Sequence, residues 1–248
     1  IVQMPAALSL SSKGLLAISA GLRHSVLIYD DGKVFAIGDD RNDQIGCHKQ
    51  DIFEIPTEIH LLLESTDEKI IQAACGQYYT AYLTNKGSIY INGWRNPGNQ
   101  YKVDVIENNE NIKFVYIQAG FDAPVAIDSN GNLFIFDSYY ATKPPVKYHG
   151  EFPFFDVARG SGFIIAVDTN GSLYGSGKVI GQKGEMSDLS THFEKISYID
   201  NLKASRVYAN YQTAAVLDST SNRVYLMNSQ NKFEVCESLN DKKVVNMD

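Results

Sequence analysis

Four times along this chain a glycine is followed eleven residues later by a second glycine in a short polar turn, at Gly21/Gly32, Gly76/Gly87, Gly120/Gly131 and Gly160/Gly171. A third glycine comes six residues after the turn in three copies, as Gly38, Gly93 and Gly177, with Asp137 in its place in the other. A fifth copy has Asn210, Asn222 and Asn228 at these positions and one extra residue before its turn. Asparagine is the informative replacement, because it tolerates positive φ better than other non-glycine residues.

Each turn is flanked by two short apolar runs. They are residues 24–29 and 34–37, 80–83 and 89–91, 125–127 and 133–136, 164–167 and 173–174, and 214–217 and 224–226. The runs are too short for helices and rich in β-branched and aromatic residues. In the first four copies Asp-Gly, Lys-Gly or Asn-Gly joins them, so each copy reads as a β-hairpin. A hairpin cannot bury its own faces, and copies 40 to 55 residues apart match one four-stranded propeller blade per repeat. The spacers supply the further strands. One lies before each first glycine, at 15–19, 70–74, 116–119, 155–158 and 206–209, and a second is expected after proline, at 56–63 and 5–10. The expectation is an all-β chain, a β-propeller of four-stranded blades.

The first copy reads Ala20-Gly21-Leu22-Arg23-His24, then Asp31-Gly32 and Gly38, then Gln44-Ile45-Gly46. This order of alanine-glycine, histidine, aspartate-glycine turn and glutamine-glycine loop resembles the regulator of chromosome condensation repeats, the family of the exchange factor for the small GTPase Ran. The resemblance covers nearly the whole chain as a repeat and fades in detail. The histidine is present only as His24, its counterparts being Tyr79, Ala123, Phe163 and Thr213. The family norm is seven blades. Here five repeats are clear, and the resemblance implies a partial blade shared by residues 1–10 and 244–248. Residues 1–248 are read as a single propeller domain, truncated at one or both ends.

Lys plus Arg is 22 against 29 for Asp plus Glu, a net charge of −7. Nucleic-acid binding needs clustered positive charge, so no direct nucleic-acid partner is expected. The chain has no apolar run long enough to span a membrane. Three widely spaced cysteines suit a reducing intracellular compartment, cytoplasm or nucleus; the resemblance also admits an effector delivered into a host cell. No metal site or cofactor is expected, since Cys47-His48 lacks a second pair of ligands. The stretches opening at Asp128 and Asp168 run straight into strands without the glutamate of a calcium loop. A glycine run near Gly175 and Gly177 lacks the βαβ unit of a dinucleotide site.

Function is then expected on loops. The residues singled out for partner binding are His24, Asp39, Asp40, Arg41 and Asp43 in the first repeat, with Trp94, Arg95, Tyr139 and Tyr140 by repeat position. Aromatic and arginine side chains dominate binding energy at protein interfaces; their other reading here is packing between blades. The resemblance implies binding of a Ran-type or related small GTPase and guanine nucleotide exchange. Exchange needs no covalent catalyst, only tighter binding of the nucleotide-free GTPase. The alternative is a non-catalytic interaction scaffold or inhibitor. In the family a protruding wedge hairpin disturbs the nucleotide site, and residues 47–69 and 178–204 are the candidate inserts.

Overall fold

In a computed structural model, residues 14–47, 51–93, 100–103, 106–107, 110–136, 145–148, 151–180 and 193–239 are described. They form five four-stranded antiparallel sheets, each a simple meander. The first blade is β1 (Leu15–Ala20), β2 (His24–Tyr29), β3 (Val34–Asp39) and β4 (Ile52–Ile59). The second is β5 (Ile70–Cys75), β6 (Tyr79–Thr84), β7 (Ile89–Gly93) and β8 (Tyr101–Val103). A two-residue ribbon, β9 (Ile106–Glu107) with β10 (Glu110–Asn111), precedes the third blade. That blade is β11 (Phe114–Ala119), β12 (Pro124–Asp128), β13 (Leu133–Ile135) and β14 (Val146–Tyr148). The fourth holds β15 (Phe154–Gly160), β16 (Phe163–Asp168), β17 (Leu173–Gly177) and β18 (Glu194–Lys195). The fifth holds β19 (Ala204–Ala209), β20 (Ala214–Asp218), β21 (Val224–Met227) and β22 (Phe233–Val235).

The hairpins therefore fall where the glycine frame puts them. In the turns, Asp128 Oδ1 accepts the N–H groups of Asn130 and Asn132, and Asp168 Oδ1 those of Asn170 and Ser172. In both, the Oδ1 atom caps the hairpin turn. Asn222 takes the turn-glycine role of the fifth copy with φ 56°, the left-handed conformation that asparagine accepts.

The core lies between blades. Alternate residues of each middle strand face opposite neighbours. Tyr79, Ala81 and Leu83 pack toward the third blade with Phe114, Ile117 and Phe134, whereas Tyr82 packs toward the first with Val26, Ile28 and Ile45. Two further clusters join the third blade to the fourth and the fourth to the fifth. Burying each such large side chain is worth roughly 1.5–3 kcal/mol, so stability resides in the stacking rather than in any one sheet.

One strand departs from expectation. The outer strand of the first blade is 52–59 rather than 56–63, with Pro56 inside it. Its ladder skips from Thr57, opposite Ala36, to Phe53, opposite Gly38, so the missing N–H of Pro56 falls in a bulge of an edge strand, where it breaks no ladder bond. Within the insert 47–69, residues 52–59 thus form an outer blade strand. The expected strand at 5–10 and the shared terminal blade lie outside the described residues. Among the described residues no helix is long and apolar enough to cross a membrane.

Candidate protein-docking face

The inner strands β1, β5, β11, β15 and β19 run the same way along a central cavity of about 740 Å³, lined by the C-terminal ends of all five. The turns that leave them share one face with the loop after β3. Backbone bonds tie the first three turns together and the fourth to the fifth: Leu22 N–H to Gly76 O, Gln77 N–H to Phe121 O, and Ser161 N–H to Tyr211 O.

The histidine position proves to be a plug beneath this face. His24 is 3% exposed, and its Nε2 lies 2.7 Å from Thr80 Oγ1 of the next blade. Its Nδ1 has no partner. Burial pushes the imidazole down to about 4, against a smaller upward pull from Asp39. In the second blade Tyr79 takes over, its hydroxyl donating to Gly120 O at 3.0 Å and accepting from Gly120 N at 3.1 Å. Phe163 fills the place in the fourth blade, its ring against Gly160. The third blade has only Ala123, and there Arg159 reaches back from β15 to fill the hollow, donating to Phe136 O at 2.7 Å and to Pro124 O at 3.3 Å. His24, Tyr79 and Phe163 thus serve one packing role, the short Ala123 is compensated by a neighbour, and Thr213 of the fifth blade is exposed. Since a Cβ on Gly76 would sit 2.0 Å from the buried Tyr79 ring, Gly76→Ala is expected to cost about 2 kcal/mol by overpacking, read as a lowered urea midpoint.

The acidic loop also turns inward. Asp39, Asp40 and Asp43 are 6%, 0% and 1% exposed. Asp40 Oδ1 accepts the N–H groups of Ile45 at 2.8 Å and Gly46 at 3.3 Å, while its Oδ2 has no partner. Burial pushes its carboxyl up to about 6, helped by the nearby Asp43 charge and opposed by the backbone bonds. Asp43 holds φ 59° and donates its N–H to Asp40 O at 2.8 Å. Asp39 forms a fork with Arg41, to Nε at 3.0 Å and Nη2 at 2.7 Å, and this bonding holds the Asp39 carboxyl below its ordinary range. Arg41 itself stays half exposed, at 53% of its side chain.

Of the residues singled out from sequence, His24, Asp39, Asp40 and Asp43 are therefore buried, and Arg41 alone among the described ones offers its side chain to a partner. Burial follows from their position, because residues that start β2 or end β3 face the next blade. Trp94, Arg95, Tyr139 and Tyr140 lie outside the described residues. The face instead displays residues at the second position of each turn: Leu22 at 56% and Tyr211 at 49% exposure, with Gln77, Phe121 and Ser161 half-buried between them. Phe121 and Tyr211 meet at 4.3 Å between centroids, across the small Ser161-Gly162 turn of the blade between them. Their signal was present in the sequence, one residue after each first glycine.

These features define a repeat β-propeller whose accessible chemistry is a ring of turns suited to gripping another protein. Residues 31–83 match the model of the regulator of chromosome condensation (RCC1) repeat, and residues 16–44 match a second model of the same description. The human RCC1-like G exchanging factor-like protein is 35% identical over 82 residues, covering 32% of this chain and 18% of that protein. The Xenopus laevis regulator of chromosome condensation is 26% identical over 183 residues, 65% of this chain and 42% of that one. The matched stretches thus span less than half the length of these relatives. Among solved structures, human WBSCR16 superposes with a TM-score of 0.71 at 15% identity, over 90% of this chain and 67% of that one. Prp20p from Saccharomyces cerevisiae, described with its binding properties to Gsp1p and histones, gives 0.66 at 14% identity, over 87% and 58%. Residues 16–83 thus match RCC1 repeats, and the chain resembles RCC1-like proteins in its fold.

Proposed function

We propose that this chain is a protein-binding propeller whose turn face engages a Ran-type or related small GTPase and promotes guanine nucleotide exchange. The observation that carries the reading is the set Leu22 and Tyr211, both exposed, with half-buried Phe121 at the mouth of the cavity, and the exposed Arg41 in the loop after β3. An aliphatic, two aromatics and an arginine on one rigid face have the composition of a binding hot spot. Exchange on this face works by differential affinity: contacts made better to the empty GTPase than to the nucleotide-bound one lower the barrier to release. The resemblance to the Xenopus regulator and to Prp20p supports a partner of this class.

The test is release of a fluorescent guanine nucleotide from Ran and related GTPases with this protein at substoichiometric concentration. Acceleration on one GTPase is expected, and Arg41→Ala combined with Tyr211→Ala is expected to slow it about tenfold, the equivalent of about 1.4 kcal/mol, with unchanged thermal melting. Full retention of rate in that variant would remove the turn face from the mechanism.

A second reading is favoured by the burial of His24, Asp40 and Asp43. Most residues carried over from the exchange factor serve packing here, which suits a scaffold that binds another protein without accelerating release. Stable capture of a partner by the turn face with no change in nucleotide release would select it.

A further inference from the structure

Every inner strand carries a bulge at its second residue. The ladder to the next strand skips residue 16 in β1, 71 in β5, 115 in β11, 155 in β15 and 205 in β19. In the second, third and fourth blades the residues on either side are buried or half-buried in blade packing. In the second blade Ile70 and Ala73 face the first blade, while Gln72 reaches the third, bonding both polar groups of Ile117. The extra residue is forced off both faces. In four successive blades it is large and apolar: Leu16, Ile71, Val115 and Phe155, exposed by 53%, 39%, 55% and 39%. Single exposed apolar residues are ordinary. Four at one register, at the end of the inner strands opposite the turn face, form a repeated surface feature.

Just before the bulges of the second, third and fifth blades come cations, where the first and fourth blades have Gly14 and Pro153. Lys69 and Lys113 immediately precede β5 and β11, and both are exposed. Their ammonium groups have no carboxylate partner among the described residues, whereas Lys33, Lys86 and Lys102 are each paired with one. Lys203 stands at the same register before β19 and donates to Asn170 O.

We propose that this strand-start face is a second docking surface, distinct from the turn face, for an acidic protein segment bearing apolar side chains. Charge selects this occupant. A second copy stacked face to face would bring lysine against lysine. An anionic membrane would meet the field of a chain with net charge −7, whereas a narrow acidic segment lies within a Debye length of the local lysines, about 8–10 Å. The apolar bulges supply affinity and the lysines supply selection.

The probe is a short fluorescent peptide of glutamate and leucine, compared by anisotropy with a matching lysine and leucine peptide. Binding of the glutamate peptide alone is expected, weakening as salt rises. Lys69→Glu with Lys113→Glu, and separately Leu16→Ser with Val115→Ser, should each weaken it about tenfold without lowering the melting temperature, since these side chains are solvent-facing. Indifference to both double variants, equal binding of the two peptides, or absence of binding would overturn the proposal. So would sedimentation with phosphatidylserine-containing vesicles in place of peptide binding, or self-association abolished by the same variants.

Discussion

Arg159→Ala is expected to lower the unfolding free energy by about 3–5 kcal/mol, the cost typical of breaking a buried charged cluster from one side. Arg159 is 3% exposed, and its stem crosses the hollow left by Ala123, so close that a Cβ on Gly120 would sit 2.5 Å from its Cγ and Cδ. Truncation removes that filling and leaves Phe136 O and Pro124 O without their guanidinium donor, a desolvation cost of about 1–3 kcal/mol for each group left bare. It also removes the positive charge that offsets burial at Asp122. Arg159→Met, which keeps the volume but not the donors, should recover roughly half of the loss. Urea unfolding of the three proteins measures this. An alanine variant within about 0.5 kcal/mol of the parent, the range of an ordinary surface change, would mean that Arg159 does not serve as the plug of the third blade.

The second large effect is a pair of opposed pH dependences inside the first blade. His24 is shifted down from 6.5 to about 4, so the unfolded chain takes up a proton before the folded one does. Its contribution is complete above pH 6.5 and is lost as pH falls toward 4, amounting to up to about 3 kcal/mol. Asp40 is shifted up from 3.8 to about 6, so the folded chain holds its proton more tightly. That stabilisation is complete below pH 3.8 and is lost as pH rises through 6, again by up to about 3 kcal/mol. Between pH 4 and 6 the two changes run in opposite directions and largely cancel.

Asp40→Asn keeps the oxygen that accepts from Ile45 and Gly46 and replaces the unpartnered charge by a neutral amide. It is expected to raise stability at neutral pH by about 1–3 kcal/mol and to expose the acid sensitivity of His24 as a steep loss from pH 6.5 to 4. His24→Gln should show the reverse, a protein that gains stability on acidification. Thermal melting across this range tests both, and parallel curves for parent and Asp40→Asn would refute the assignment to Asp40.

Much of the architecture was legible because it rests on local rules. The turn glycines demand positive φ, and Asn222 filled that role as asparagine should. Short apolar runs on either side of each turn marked the hairpin strands, and the apolar stretches before each first glycine became β1, β5, β11, β15 and β19 within one or two residues at either end. The outer strands were less legible. Those of the second to fifth blades are only two or three residues long, and in the first blade Pro56 sits in a bulge rather than at a strand start.

The candidate site was read less well for a related reason. His24, Asp39, Asp40 and Asp43 carry polar side chains in what looks like loop and strand-end sequence, which suggests exposure. Whether such a residue faces solvent depends on the blade beside it, some fifty residues away in the chain, and Thr80 is what makes His24 an inter-blade contact. Leu22, Phe121 and Tyr211 follow the first glycine, or its Asn210 counterpart, of their repeats, a signal visible only when the repeats are compared, since one apolar residue in a turn has no local pattern of its own.

By itself the sequence determined the repeat unit, its hairpins and the all-β propeller class, since glycine and asparagine conformations and strand alternation act within a few residues. The tertiary structure alone decided which polar groups are buried, that Arg159 substitutes for a missing plug, and that the bulge residues of four blades share one register at the start of the inner strands. Those outcomes depend on contacts between blades, and the packing that sets them joins residues that no short window of sequence brings together.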